Sequence, residues 1–208
     1  EPSSNMAWLA DSCVLDKWRQ LHAEINGEEV PGALFISAAR AIISIFDLIS
    51  GMGIVKSDMV GNADQLNKLI GDRDITLQAL VMAELAGCSD ATKLAKDGKT
   101  ATCALLWLNR ALLFVYELLS EMVEKPESKL SECINKGYEK TLRQYHGFAV
   151  RTTFSVAVRA APTRQGLMSK MGPSEEEVIT AMREVIPMFS AVLQLNKKFL
   201  TEKSVESK

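Results

Sequence analysis

Histidine is scarce in this sequence, cysteine is scattered and no glycine-rich loop occurs. Each shortage removes a class of chemistry. The two histidines, His22 and His146, stand far apart, with no H-x-x-x-H spacing and no Cys/His cluster, so no metal site is expected. The four cysteines, Cys13, Cys88, Cys103 and Cys133, form no C-x-x-C pair and read as reduced, mostly buried thiols of a cytosolic protein. There is no P-loop, no dinucleotide fingerprint and no G-x-S-x-G elbow, so no cofactor is expected and no nucleophile is apparent. A net charge of −2 offers no field for nucleic acid, although a local basic patch at a membrane surface remains open. Long uninterrupted apolar runs are also missing. The longest, 31–55, is broken by Arg40 and Asp47, seven residues apart and so on one helix face, which suits a buried core helix better than a membrane span. The chain opens Glu1-Pro2-Ser3-Ser4, without a signal-peptide pattern and without an initiator methionine, so a trimmed N-terminus is expected.

Period-two alternation is absent too, which excludes a sheet, and no repeat or low-complexity linker divides the chain. What is present is helical. Hydrophobic residues make up 47% of 208 and charged residues 24%, enough for a substantial core in a soluble domain. The spacing predicts helices over 6–25, 31–50, 54–70, 75–86, 100–123, 128–159, 164–170 and 175–200. Gly51-Met-Gly53 separates the second from the third, and Asp74 is the expected N-cap of the fourth. A polar loop with at most one helical turn covers 87–99. Lys125-Pro126 and Ala161-Pro162 bound the long sixth helix. Ser174 followed by Glu175 to Glu177 is a helix start, and Pro187 is expected to bend the last helix. The final eight residues are polar and expected to fray. The expected fold is all-α: one domain over 1–208, with about eight helices in stacked layers.

Three places carry candidate chemistry. Asp58, Asn62 and Gln65 stand at i, i+4 and i+7, so one helix face offers a carboxylate and two amides to hydroxyls or an amide N–H. A solvated helix turn would look the same. Trp107, within Ala104-Leu-Leu-Trp-Leu-Asn-Arg110, is either core packing or a flat platform for the C–H face of a pyranose ring. His146 is either a satisfied core histidine on an apolar helix or an N–H donor to an amide carbonyl. A His146–Asp58 pair could in principle serve acid–base catalysis, which keeps a small hydrolase as the last-ranked reading. Phe148, two residues on, is either buried or stands at the rim of a surface site, where it would insert into a bilayer interface.

At these residues the chain resembles the glycolipid transfer protein superfamily. Four stretches carry the likeness: Lys56-Ser-Asp-Met-Val-Gly-Asn62, Ala104-Leu-Leu-Trp-Leu-Asn-Arg110, Tyr138-Glu-Lys-Thr-Leu-Arg-Gln-Tyr-His146-Gly and Val158-Arg-Ala-Ala-Pro162. Together they cover roughly residues 30–165. The resemblance implies a two-layer, all-helical sandwich and non-enzymatic movement of a sphingolipid between membranes. It implies that Asp58 and Asn62 hold a sugar headgroup, that Trp107 stacks on it, that His146 bonds the ceramide carbonyl, and that Asp58 also takes the ceramide amide N–H. The lipid chains would enter an apolar pocket between layers, with 33–49 and 105–118 as candidate walls and Ser44 and Met52 as candidate lining residues. Cytoplasmic residence with peripheral, transient membrane contact follows from the same likeness.

Two positions depart from the family pattern. Gln65 stands where the glycolipid branch usually has Lys, with Lys68 three residues further. Phe148 stands where Trp is frequent, so weaker or faster-reversing membrane docking is expected. A sister branch that carries ceramide phosphate places basic residues where this chain has Asn62 and Trp107, so a neutral glycosylceramide is the expected ligand. Arg110 and Arg151 are nearby cations of undefined orientation. The alternatives are a sensor or adaptor that binds the glycosphingolipid without shuttling it, and a ceramide-phosphate carrier.

Overall fold

A computed structural model describes residues 7–88 and 90–206. Within them the chain forms eleven α-helices and two short 3-10 segments, with no strand beyond two isolated bridges, Asn26 with Glu29 and Pro31 with Thr76. The all-α expectation holds, with more and shorter helices than anticipated.

The first expected helix is two. α1 (Trp8–Ser12) and α2 (Val14–Ala23) meet at Cys13, whose φ of 49° is left-handed and interrupts the ladder. Met6 lies outside the described residues. The second expected helix is α3 (Gly32–Ile43) followed by a 3-10 segment (Ser44–Leu48). Arg40 and Asp47, which shared a face by spacing, both point towards α4 (Gly53–Ile70), pairing with Asp64 and Lys56. Both residues are exposed, so these pairs orient the helices more than they stabilise them. α5 (Leu77–Gly87) is capped by Thr76, whose hydroxyl accepts from Ala79 N–H, and not by Asp74. The Pro31–Thr76 bridge holds Thr76 in the extended conformation a cap needs.

α6 (Ala91–Leu94) is the single turn expected between 87 and 99. α7 (Ala101–Glu124) is the spine of the fold, buried along most of its length. Its N-terminus is satisfied twice. Thr100 accepts from Cys103 N–H, and the Glu84 carboxylate, reaching across from α5, accepts from Ala101 N–H, Thr102 N–H and the Thr102 hydroxyl. α7 has the length and hydropathy of a membrane span, but 78% of its apolar window is buried within the fold.

The long helix expected over 128–159 is the largest correction. It breaks into α8 (Leu130–Lys140), a 3-10 turn (Leu142–Tyr145) and α9 (Phe148–Arg159). Thr141 leaves the helical region at φ −124°, ψ −85°, its hydroxyl donating back to Gly137 O, and Gly147 re-enters as the N-cap of α9. α10 (Arg164–Met171) and α11 (Glu175–Glu202) follow, with Ser174 capping α11 as its acidic first turn foretold. Pro187 sits inside α11 and costs it one ladder bond.

Neighbouring helices close into a ring: α2 packs on α3, α3 on α4, α4 on α7, α7 on α11 and α11 on α2, with α8 laid along α7. Gly137 permits that last approach, since a Cβ there would stand 3.1 Å from Leu118 N and 3.3 Å from Phe114 O. Of the four cysteines, all unpaired, only Cys103 and Cys133 are buried; Cys13 is exposed and Cys88 half-buried, fewer interior thiols than expected.

Candidate functional site

α4 buries Met59, Ala63, Leu66 and Ile70 against its neighbours. Asp58, Asn62 and Gln65 each precede one of these residues, so the polar stripe borders the buried stripe along its length. The expected shared face is therefore present, at the line where core meets solvent. Asn62 and Gln65 are half-buried and Asp58 is exposed. Asn62 Nδ2 donates to Asp58 O at 2.9 Å, and Gln65 Nε2 donates to Lys99 O at 2.6 Å in the loop before α7. Each amide thus spends one N–H on the protein and keeps its carbonyl and second N–H for another partner.

Trp107 lies on α7, the helix that packs against α4. Among residues 101–112 it alone is not fully buried, which separates it from the core positions around it. Its indole meets Tyr145 edge-on at 6.2 Å between ring centroids and lies within 14° of parallel to the His146 ring at 6.3 Å. The Arg110 guanidinium, one turn along α7, is 5.1 Å from the indole centroid and 3.7 Å from the Tyr145 ring. Trp107 is wedged by aromatic and cationic neighbours and keeps an accessible surface.

His146 lies on no helix. It occupies the extended linker after the 3-10 turn, at φ −100° and ψ 132°, and is half-buried. Its Nδ1 is 3.0 Å from the Tyr138 hydroxyl. Tyr138 is itself clamped, stacked on Phe154 of α9 at 3.8 Å and 13°. When Tyr138 donates to Nδ1, the neutral ring carries its proton on Nε2 and presents a fixed N–H donor. Burial pulls the His146 pKa below its ordinary value, the Asp58 charge partly opposing and Arg151 reinforcing the fall. The same crowding lifts Asp58 above the usual carboxylate range, with His146 acting the other way. The two groups feel each other's charge yet share no hydrogen bond or ion pair among the described residues. Asp58, His146 and Trp107 are thereby linked in series, with Asn62 and Gln65 on the same face of α4 as Asp58.

Behind the site, aromatic contacts lead inward. Tyr138 stacks on Phe154, Phe154 meets Phe114 edge-on at 5.8 Å, and Phe114 stacks on Phe46 at 6.1 Å between α7 and the 44–48 segment. All four are buried. Met52 is fully buried, but the Ser44 hydroxyl is taken up by Trp8 Nε1 and Ala41 O on the α1 side.

A family model, "Glycolipid transfer protein (GLTP)", matches residues 30–173. The chain belongs to the glycolipid transfer protein family. Glycolipid transfer protein 1 of Arabidopsis thaliana is 30% identical over 183 residues, covering 86% of this chain and 88% of that protein. Pleckstrin homology domain-containing family A member 8 of Danio rerio is 36% identical over 147 residues, 68% of this chain; the match spans about a quarter (26%) of that longer protein. Among solved structures, the fungal glycolipid transfer protein HET-C2 aligns at a TM-score of 0.79 with 27% identity, over 93% of this chain and all (100%) of that one. The human ceramide-1-phosphate transfer protein, solved with 12:0 ceramide-1-phosphate, shares the fold at a TM-score of 0.82 and 22% identity, over 93% of this chain and 96% of that one.

Within this family member, the roles of Tyr138 and Tyr145 at the site escaped the sequence reading, and the orientation of Arg110 was left open by it. Tyr138 was visible only as part of a motif, although its spacing of eight from His146 is short enough to suggest contact once the helix is known to break. Tyr145 and Arg110 form the support of Trp107. Arg151 donates from Nε to Arg143 O at 3.1 Å, which settles its orientation across the linker, and Lys68 is exposed. Phe148 is 86% exposed as the first residue of α9, so the buried reading does not hold. Ile54, Val150 and Val156 are exposed beside it in sequence or one turn before Asp58.

Proposed function

We propose that this protein carries a glycosphingolipid with a neutral sugar headgroup between membranes, without chemical turnover, as a cytoplasmic protein that touches the membrane surface transiently. The observation that carries the reading is Trp107, the one half-buried residue in an otherwise buried stretch of α7, with His146 beside it and Asp58 within reach of the His146 charge. An indole of this kind packs on the C–H face of a pyranose, and the hydroxyls at the ring edge need partners of mixed character. Asp58 accepts from hydroxyls and from the ceramide amide N–H. Asn62 and Gln65 both accept and donate. His146 donates to the ceramide carbonyl. Gln65, uncharged, suits a sugar and brings no charge to a phosphate.

The energetics require the apolar interior behind the site. A ceramide presents roughly 30 methylenes, and exposing them to water at about 0.8 kcal/mol each costs more than about 20 kcal/mol. Hydrogen bonds worth about 1 kcal/mol each cannot offset that. The chains must pass from bilayer into protein, and the aromatic series from Tyr138 to Phe46 marks the route on which they would displace side-chain contacts. Phe148, Ile54 and Val150 supply an apolar rim for docking at the bilayer interface. His146 and Asp58 share no hydrogen bond or ion pair among the described residues, so they do not form a coupled acid–base pair.

The test is intervesicle transfer of a fluorescent galactosyl- or glucosylceramide, with ceramide phosphate in parallel. The sugar lipid is expected to move and the phosphate lipid to lag. Trp107→Ala is expected to cut sugar-lipid transfer at least about tenfold, the loss of about 1.4 kcal/mol of headgroup contact, with the helical circular dichroism kept. A Trp107→Ala protein that transfers the sugar lipid at the wild-type rate would falsify the site assignment. Binding of the sugar lipid with negligible transfer would replace carriage with a sensor role.

A further inference from the structure

The chain does not fray where α11 ends. Ser204 takes a left-handed φ of 57°, Ser204 N–H donates to Thr201 O at 3.0 Å and Val205 N–H to Leu200 O at 2.9 Å. This is the Schellman arrangement of a helix C-terminus, and its apolar residue, Val205, is only 1% exposed. The turn throws the next residue, Glu206, back onto α7. Glu206 Oε1 lies 3.5 Å from Arg110 Nε and accepts a hydrogen bond from the Tyr145 hydroxyl at 3.3 Å. Glu206 and Arg110 side chains are 14% and 9% exposed. The polar tail expected to be loose is thus packed as far as residue 206, and it delivers a carboxylate to the one buried guanidinium under the Trp107 platform among the described residues.

We propose that Glu206 is a specificity-determining residue: its carboxylate neutralises Arg110 beneath Trp107 and so denies that cation to a phosphate headgroup. The inference rests on the sugar-lipid reading of the site. Arg110 Nε makes no aligned hydrogen bond of its own, so its charge is balanced by Glu206 without being saturated. With Glu206 in place the pair is neutral overall, so an anionic headgroup at the indole gains no net charge from Arg110. Without it, a buried cation is left facing the site, and an anion is the partner that satisfies it best. Choice of headgroup is set here by a repulsive element as well as by attractive ones.

The experiment measures the ratio of ceramide-phosphate transfer to glucosylceramide transfer between neutral phosphatidylcholine vesicles, in wild type, Glu206→Gln and the double variant Glu206→Gln/Arg110→Gln. Thermal midpoints report folding, and Glu206→Ala, which keeps Val205 and the turn's backbone bonds, reads the same ratio by a second substitution. The ratio is expected to rise at least about tenfold in Glu206→Gln, to fall again when salt is raised, and to return to the wild-type value in the double variant. An unchanged ratio in folded Glu206→Gln and Glu206→Ala overturns the inference while leaving the sugar-lipid reading intact. A rise that persists without Arg110 overturns it as well. A wild-type protein that moves no glucosylceramide overturns the sugar-lipid reading and this inference together.

Discussion

Two polar regions lie along α7 and α8, and they are built on opposite principles. Near the C-terminal end of α7, Glu121 sits beneath the stems of three lysines. Lys125 Nζ is 2.7 Å away, Lys140 Nζ 2.9 Å and Lys136 Nζ 4.0 Å, and Lys140 also reaches Glu117 at 2.8 Å. Lys125 and Lys140 each hydrogen-bond a carboxylate, Lys136 stands further off with its pKa held down chiefly by Lys125, and Lys140 hydrogen bonds hold α8 on α7. Near the other end, Asp58, Asn62, Gln65, Trp107 and His146 meet with capacity left over. The Glu121 carboxyl is pulled down to about 2, first by its hydrogen bond from Lys125 and then by that from Lys140. The Asp58 carboxyl is pushed up by burial. One carboxylate is stabilised by its surroundings and the other is held at a cost. Protein groups complete the first region, whereas the second keeps unspent hydrogen-bonding capacity. The contrast lies in how many polar groups the fold itself satisfies in each region.

The sharpest way to break the comparison is at Glu121. Glu121→Gln removes the charge that three lysines surround and leaves like charges facing one another. Because the lysines are about half exposed, solvent screens much of the loss, and about 1–2 kcal/mol is expected. In a chain of this size that lowers the thermal midpoint by about 3–6 °C. The sign with pH is definite. A depressed carboxyl contributes stability above its unfolded value of 4.5, and the contribution is lost as pH falls from there to about 2. The gap between variant and wild type is therefore full at neutral pH and closes in acid. Lipid transfer per folded molecule is expected to stay unchanged. A transfer defect at full folding would mean that the two regions are not separable.

The helical core was legible in the sequence, and so was the face that Asp58, Asn62 and Gln65 share, because periodicity is a local property. The break between α8 and α9 was not. Residues 128–159 contain no proline, and a β-branched Thr141 with a single Gly147 six residues later is too weak a signal to end a helix. The cost of missing it was the setting of His146, read as helical and found in an extended linker. The tail was misread for a related reason. Polar composition suggested fraying, but one apolar residue, Val205, placed after a left-handed Ser204, suffices to dock it. Tyr138 and Glu206 act through tertiary contacts that no local pattern records.

Tyr138→Phe tests the ordered side of the open site. The ring still stacks on Phe154, so the fold keeps its packing, but His146 Nδ1 loses its partner at 3.0 Å and the imidazole is free to change tautomer. One neutral hydrogen bond is worth about 1 kcal/mol, so a fall of about fivefold in sugar-lipid transfer is expected, with a midpoint shift below about 2 °C. Equal transfer by the variant would mean that His146 does not need Tyr138 to present its N–H.

The smallest effect is the most direct reading of the contrast. Asp58 has a raised pKa, so the folded protein holds its proton more tightly than the unfolded chain does, and the ionised form costs stability at neutral pH. Asn has the same shape and no charge. Asp58→Asn is therefore expected to raise the midpoint at pH 7, by only about 1–2 °C because the residue is exposed enough for solvent to screen the burden. The gain shrinks as pH is lowered through the raised pKa towards the unfolded value of 3.8, since wild-type Asp58 then carries its proton as well. Sugar-lipid transfer is expected to fall in the same variant, because an amide offers one acceptor where the carboxylate offered two oxygens. A variant that is more stable and less active is what a site held open at the expense of the fold produces. A lower midpoint at pH 7 would place Asp58 with Glu121, among the carboxylates that the fold itself satisfies.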